Sequence, residues 1–200
     1  MMHRFAYLYG LIGRFDLRAL LHDLSFKGIT LSNPVNGRVT ALTPDGDQAE
    51  ITLDMLIAAV SSRDPITFQL WMPGHADICC RFRYLGDNRL VEEYSFVGLH
   101  QDERTHILNV LAERFSAKAE QEEQLFFVGD PEGYSIDVNW DELALAGKYE
   151  PKLCPELLGV PVQRLIDFDR CRANSYEYTR IGKYLMLRNN LSQVEISQTD

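Results

Sequence analysis

An α+β fold, an antiparallel meander packed against a few amphipathic helices, is what the sequence predicts, and three observations predict it. Between residues 66 and 97 apolar and polar residues alternate with a period of two, interrupted by Pro73-Gly74 and by Gly86-Asp87-Asn88. That alternation marks antiparallel strands with one face on a core. Segments around 17–24, 53–60 and 107–115 instead space their apolar residues at i, i+3 and i+4, the signature of one-faced helices. Finally, strands come in runs with helices interspersed rather than in strict strand–helix alternation.

The elements follow in order. Residues 5–13 are an apolar run, and 4–12 are read as a buried first strand. No small-x-small cleavage site follows the run, which argues against a signal peptide. Leu17, Leu20, Leu21 and Leu24 form a helix stripe, with Asp16 placed to cap it and Gly28 to stop it. Short strands are expected at 29–32 and 38–43, separated by Asn33-Pro34 and Asn36-Gly37, and Pro44-Asp45-Gly46-Asp47 is a turn. Thr52 caps a second helix carrying Leu53, Leu56, Ile57 and Val60, which ends before Asp64-Pro65.

The meander places Ile66, Phe68, Leu70 and Met72, then Ile78, Cys80, Phe82 and Tyr84, on its core face. Gln69, Trp71, Arg81 and Arg83 fall on the other face. Left uncovered, that face is a second contact patch; covered by a helix, it makes Trp71 part of the core. A third helix runs from about 101 to 120 on Ile107, Leu108, Leu111 and Phe115. Leu125-Phe-Phe-Val128 is a buried strand, Asp130-Pro131-Glu132-Gly133 a turn, and Trp140–Ala146 a short helix. The three prolines between 148 and 162 suggest irregular chain, and Tyr176–Ile181 with Tyr184–Arg188 suggests a hairpin across Gly182-Lys183. The expected organisation is one α+β domain over 1–190 and a polar tail over 191–200.

Charge is unevenly placed. The net charge is −9, and residues 101–145 hold 11 acids against 3 bases, so the remainder is nearly neutral. Nucleic-acid binding needs clustered Lys and Arg, so this balance speaks against it and for a basic protein partner. No stretch approaches the ~20 apolar residues of a membrane span. Cys79 and Cys80 point to opposite faces of a strand, and no CxxC occurs, so Cys79, Cys80, Cys154 and Cys171 are read as four thiols in a reducing, cytoplasmic setting.

Candidate chemistry is sparse. The Gly10-Leu-Ile-Gly13 turn falls short of a nucleotide fingerprint. His75, Asp77, Cys79 and Cys80 are metal-capable but lack zinc spacing. His100, Asp102, Glu103 and His106 open the acidic helix, where carboxylates complement the helix dipole; His100 stands where a capping Ser or Thr is usual. The acids from Asp130 to Glu142 lack the alternating ligands and sixth-position glycine of an EF-hand. Neither a catalytic residue nor a metal or cofactor is therefore expected. Aromatics among carboxylates do suit recognition of Arg and Lys. Asp130, Glu132, Tyr134, Asp137, Trp140, Asp141 and Glu142 are the predicted partner-binding residues.

The run Phe96-Val-Gly-Leu-His-Gln-Asp-Glu103, the amphipathic helix after it, and Asp130-Pro-Glu-Gly-Tyr with Asn139-Trp-Asp-Glu142 resemble the small acidic immunity proteins of bacterial toxin–immunity systems. The resemblance spans roughly 66–145 and is one of pattern. It implies a non-enzymatic inhibitor that neutralises a cognate toxin by binding it. A secretion chaperone or adaptor for an effector, and a hydrolase built around His100 or His75, are the alternatives.

Overall fold

A computed structural model describes residues 4–74, 76–86, 88–146, 154–164 and 176–189. Ten strands form one open antiparallel sheet. In chain order the elements are β1 (Phe5–Leu11), α1 (Leu17–Phe26), β2 (Val39–Leu42), β3 (Gln48–Ile51), α2 (Leu53–Ser62), β4 (Ile66–Trp71), β5 (Asp77–Leu85) and β6 (Arg89–Ser95). Then come α3 (Gln101–Ala119), β7 (Phe126–Asp130), α4 (Trp140–Ala146), β8 (Leu157–Pro161), β9 (Tyr176–Ile181) and β10 (Tyr184–Asn189). The spatial order is β3-β2-β4-β5-β6-β1-β7-β8-β10-β9. The first strand therefore lies mid-sheet, between β6 and β7.

Both faces of the sheet carry a core. On one, α1, α2 and α3 bury Leu20, Leu24, Leu56, Leu108 and Phe115 against Leu8, Phe68, Phe82 and Phe127. On the other, Phe5, Tyr9, Phe126, Val128, Leu158 and Val160 meet Trp140, Leu143 and Ala144 of α4. The second core explains why β1, β7 and β8 read as continuous apolar runs, since strands covered on both sides have no polar face to alternate with.

The helix starts follow local chemistry. Asp16 accepts hydrogen bonds from the backbone N–H groups of Arg18 (2.9 Å) and Ala19 (3.2 Å), and Thr52 accepts from Met55 (3.2 Å). At α3 the Glu103 carboxylate takes the His100 backbone N–H at 2.7 Å, which is half of a capping box. Helix α3 lies across β7 and β8 where both strands present glycine. A β-carbon added to Gly159 would sit 2.7–2.9 Å from three ring atoms of Phe115. Two glycines thus set how closely the helix seats.

Several expectations are revised. The segment 29–32 forms a single bridge, Thr30 to Trp71, rather than a strand. The stretch Gln48–Ile51 is an edge strand, and its polar sequence hid it. Within 148–162, Leu157–Pro161 is a fully buried strand; the prolines flank it and end it, where a missing N–H does least harm. Cys154 is disulfide-bonded, against the reading of four thiols, while Cys79 and Cys80 are free. Cys171, His75 and the tail 191–200 lie outside the described residues.

Candidate functional site

The residues predicted to meet a partner divide into two groups. The Asp130 carboxylate is fully buried at the end of β7. One oxygen accepts the backbone N–H groups of Gly133 (2.9 Å) and Tyr134 (3.0 Å). The other accepts the N–H and the hydroxyl of Ser135, both at 2.6 Å. Four donors on one carboxylate fold residues 131–135 into a fixed loop. Gly133 supplies the positive φ (77°) that the turn requires.

Glu132 continues the scaffold. It accepts from Arg104 of α3 at 2.8 Å and lies 3.9 Å from Arg4. Asp141 is held in the same way. Arg83 of β5 donates to it through both terminal nitrogens, at 2.5 and 2.7 Å, and the Tyr9 hydroxyl donates at 2.9 Å. Burial would lower the Arg83 guanidinium, but the Asp141 bonds outweigh it and hold it above its ordinary value. Trp140 is buried, and its ring packs on Phe126 with centroids 6.2 Å apart. Asp130 and Trp140 are thus buried within the molecule, while Glu132 and Asp141, each about a third exposed, are paired with the chain's own arginines.

Tyr134, Asp137 and Glu142 do face outward. Tyr134 is 52% exposed and Ile136 41%, two large apolar side chains on the loop that Asp130 holds. Asn139 caps the next turn, taking the Glu142 N–H at 3.2 Å. Beneath the loop a cleft of about 340 Å³ opens on the second sheet face, walled by Phe5, Tyr7, Arg83, Glu93, Ile136 and Trp140. Phe5 and Tyr7 stack with centroids 4.4 Å apart, and the Arg83 guanidinium lies 5.7 Å from the Tyr7 centroid. Burial, then the Glu93 charge, push the Tyr7 phenol up to about 12, so it stays a donor at any physiological pH.

Of the second predicted patch, Arg81 is exposed, Trp71 is half-buried, and Arg83 belongs to the Asp141 network. Ile136, Ser135 and Tyr9 were missed as site residues, and Arg83 was placed only in the second patch. A serine five residues after an aspartate, with glycine between, was a readable sign of the Asp130 turn. The Arg83–Asp141 pair spans 58 residues and leaves no local trace.

Other chemistry among the described residues is limited. No three His, Cys, Asp or Glu side chains are grouped to hold a metal ion. Burial raises the Cys79 and Cys80 thiols, which disfavours a thiolate nucleophile at either. His100 is exposed at the start of α3, and His106 Nε2 lies 3.0 Å from the Lys27 carbonyl oxygen.

Fold and site together define an α+β protein with an open ten-stranded antiparallel sheet and an anchored, outward-facing loop above a cleft of mixed aromatic and charged lining. No helix is long and apolar enough to cross a membrane. No protein-family model, curated protein or solved structure matches the chain.

The anchor can be tested directly. Asp130→Ala strips the buried loop N–H groups of their acceptor and is expected to cost about 1–3 kcal/mol. Urea denaturation measures the loss, and limited proteolysis should move its first cut into 131–139.

Proposed function

We propose that the chain is a non-enzymatic binding protein that neutralises a positively charged protein partner, in the manner of a bacterial immunity protein. The observation that carries this reading is the Asp130 anchor, which displays Tyr134, Ile136 and Asp137 on a loop whose shape is set before any partner arrives. Ordering a loop costs binding energy, and a loop already ordered avoids that cost. An aromatic and an aliphatic side chain supply affinity, while Asp137, Glu142 and the chain's net charge of −9 speed encounter with a basic surface. The compartment proposed with this reading is the cytoplasm. The bond at Cys154 pulls against it, because disulfides persist in oxidising compartments.

The test uses the full chain, immobilised, with soluble extract of its native host. A basic protein should be retained at low salt and released as salt rises. The double variant Tyr134→Ala, Asp137→Lys should bind it at least about tenfold more weakly, on the scale of one interface hot spot. Co-expression of that partner with the chain should relieve the growth arrest it causes alone. Equal binding by wild type and the double variant would discard the loop as the contact. Retention of unfolded clients only would favour the chaperone reading.

A further inference from the structure

The two edges of the sheet are built differently. β3, at one end of the strand order, is 4 residues long and carries Gln48 and Glu50 as its exposed side chains. Short, charged edges resist pairing with other strands. β9, at the opposite end, is Tyr176-Glu-Tyr-Thr-Arg-Ile181. It holds no proline, glycine or lysine, and it pairs with β10 residue for residue, so no bulge twists it away. Glu177, Tyr178, Thr179 and Arg180 are all exposed, Tyr178 by 73%. Among the described residues no strand pairs with the outer side of β9.

The direction of its backbone groups follows from the neighbouring ladder. The Asn189 N–H donates to the Glu156 carbonyl at 2.8 Å, so Asn189, Leu187 and Leu185 turn their backbone groups toward β8. Arg188, Met186 and Tyr184 turn theirs toward Glu177, Thr179 and Ile181 of β9. The N–H and C=O groups of Tyr176, Tyr178 and Arg180 therefore point away from the sheet. These three positions are symmetric about Tyr178.

We infer that β9 is the interface of a homodimer, in which two copies of the chain join their sheets antiparallel about a two-fold axis at Tyr178. That register sets Tyr178 opposite its own copy, Arg180 opposite Tyr176, and Glu177 opposite Thr179. Every outward backbone group at 176, 178 and 180 then has its counterpart. No like charges stand opposite one another. Among the described residues the Arg180 side chain donates only to the neutral Gly182 carbonyl, at 3.1 Å. Across the joint its guanidinium falls beside the electron-rich rings of Tyr176 and Tyr178, and the Thr179 hydroxyl can donate to the Glu177 carboxylate. β9 thus matches itself, which selects a second copy over a foreign strand. The contact is closed, because both copies spend the same edge and only the short β3 edges remain outside.

The experiment follows the mass of the full chain by sedimentation and light scattering from about 1 μM to about 1 mM. The mass should rise from that of one chain to that of two and stop there. Tyr178→Pro removes an N–H that points outward, a change edge strands tolerate, and should abolish the dimer over this range. Arg180→Glu should weaken it about tenfold, on the scale of the cation–π contacts it removes. Glu50→Lys, on β3, should change nothing. On mild oxidation Tyr178→Cys should cross-link to its own copy, while Val35→Cys, at a site 75% exposed elsewhere, should not. Circular dichroism at the lowest concentration checks the fold of each variant; should Tyr178→Pro fail to fold, Arg180→Glu and the cross-link decide. A chain still monomeric at about 1 mM would overturn the dimer and leave this edge to a foreign strand. A mass climbing past two chains, unchanged dimerisation in both β9 variants, or equal cross-linking of the two cysteine variants would overturn it as well.

Discussion

Arg114→Met is expected to cost about 3–5 kcal/mol of folding stability, the typical loss when one partner of a buried ion pair is removed. The Arg114 guanidinium of α3 meets the Glu92 carboxylate of β6 through both terminal nitrogens, and Tyr94 donates its hydroxyl to Glu92 at 2.8 Å. The side chains are 9% and 3% exposed, so a carboxylate left behind has no water to turn to. Burial alone would raise Glu92; the Arg114 charge overcomes it and leaves the carboxyl below its ordinary value of 4.5. The same pair holds Arg114 above its ordinary value despite burial.

Two consequences separate this pair from ordinary packing. A carboxyl lowered by folding contributes stability that is complete above about pH 4.5 and is lost as pH falls through the folded value. Wild type should therefore lose stability in that acid window. In Glu92→Gln this part of the loss should vanish. The double variant Glu92→Gln, Arg114→Met should also be more stable than Arg114→Met alone, because no unpaired charge remains. Urea denaturation across pH 3–7 reads both. If Arg114→Met alone matched the double variant, the pair would not be coupled.

Gly159→Val is expected to cost about 3 kcal/mol, the upper part of the usual range for overpacking. For a chain of this length that is a fall in Tm of about 6–12 °C. Replacing a strand glycine ordinarily helps by about 0.5–1 kcal/mol. Here the gain is overwhelmed, because the first added carbon already meets three atoms of the fully buried Phe115 ring at 2.7–2.9 Å. The ring is pinned by Phe127 and Tyr184, with centroids 5.9 and 5.6 Å away, and has little room to yield. Phe115→Leu should rescue part of the loss in Gly159→Val while destabilising wild type. Absence of that rescue in thermal melts would show that α3 is not seated on β8 as described.

What the sequence made legible was local. Alternation over 66–97 and the 3.6-residue stripes yielded the meander and three helices, and Asp16 and Thr52 marked two starts, because each signal is carried by neighbours in the chain. The second core escaped notice for the opposite reason. A run such as Leu-Phe-Phe-Val announces burial but not what buries it, and α4, the cover, is only 7 residues long. The site suffered from the same limit. Counting acids between 101 and 145 found the region of the loop but not the direction of its side chains. Asp130 and Asp137 are the same residue type seven positions apart; one is an internal anchor and the other faces solvent. Only the positions of Ser135, Arg104 and Arg83, one of them in a distant strand, distinguish carboxylates used to build the loop from those it displays.

The placement of β1 between β6 and β7 has a consequence for biosynthesis. The strand is translated before both of its neighbours, and the second of them, which ends at Asp130, comes long afterwards. At about 5–20 residues per second that interval is on the order of ten seconds. Until β7 emerges, the edge of β1 that it covers has no partner strand, so the sheet closes around this strand only late in synthesis.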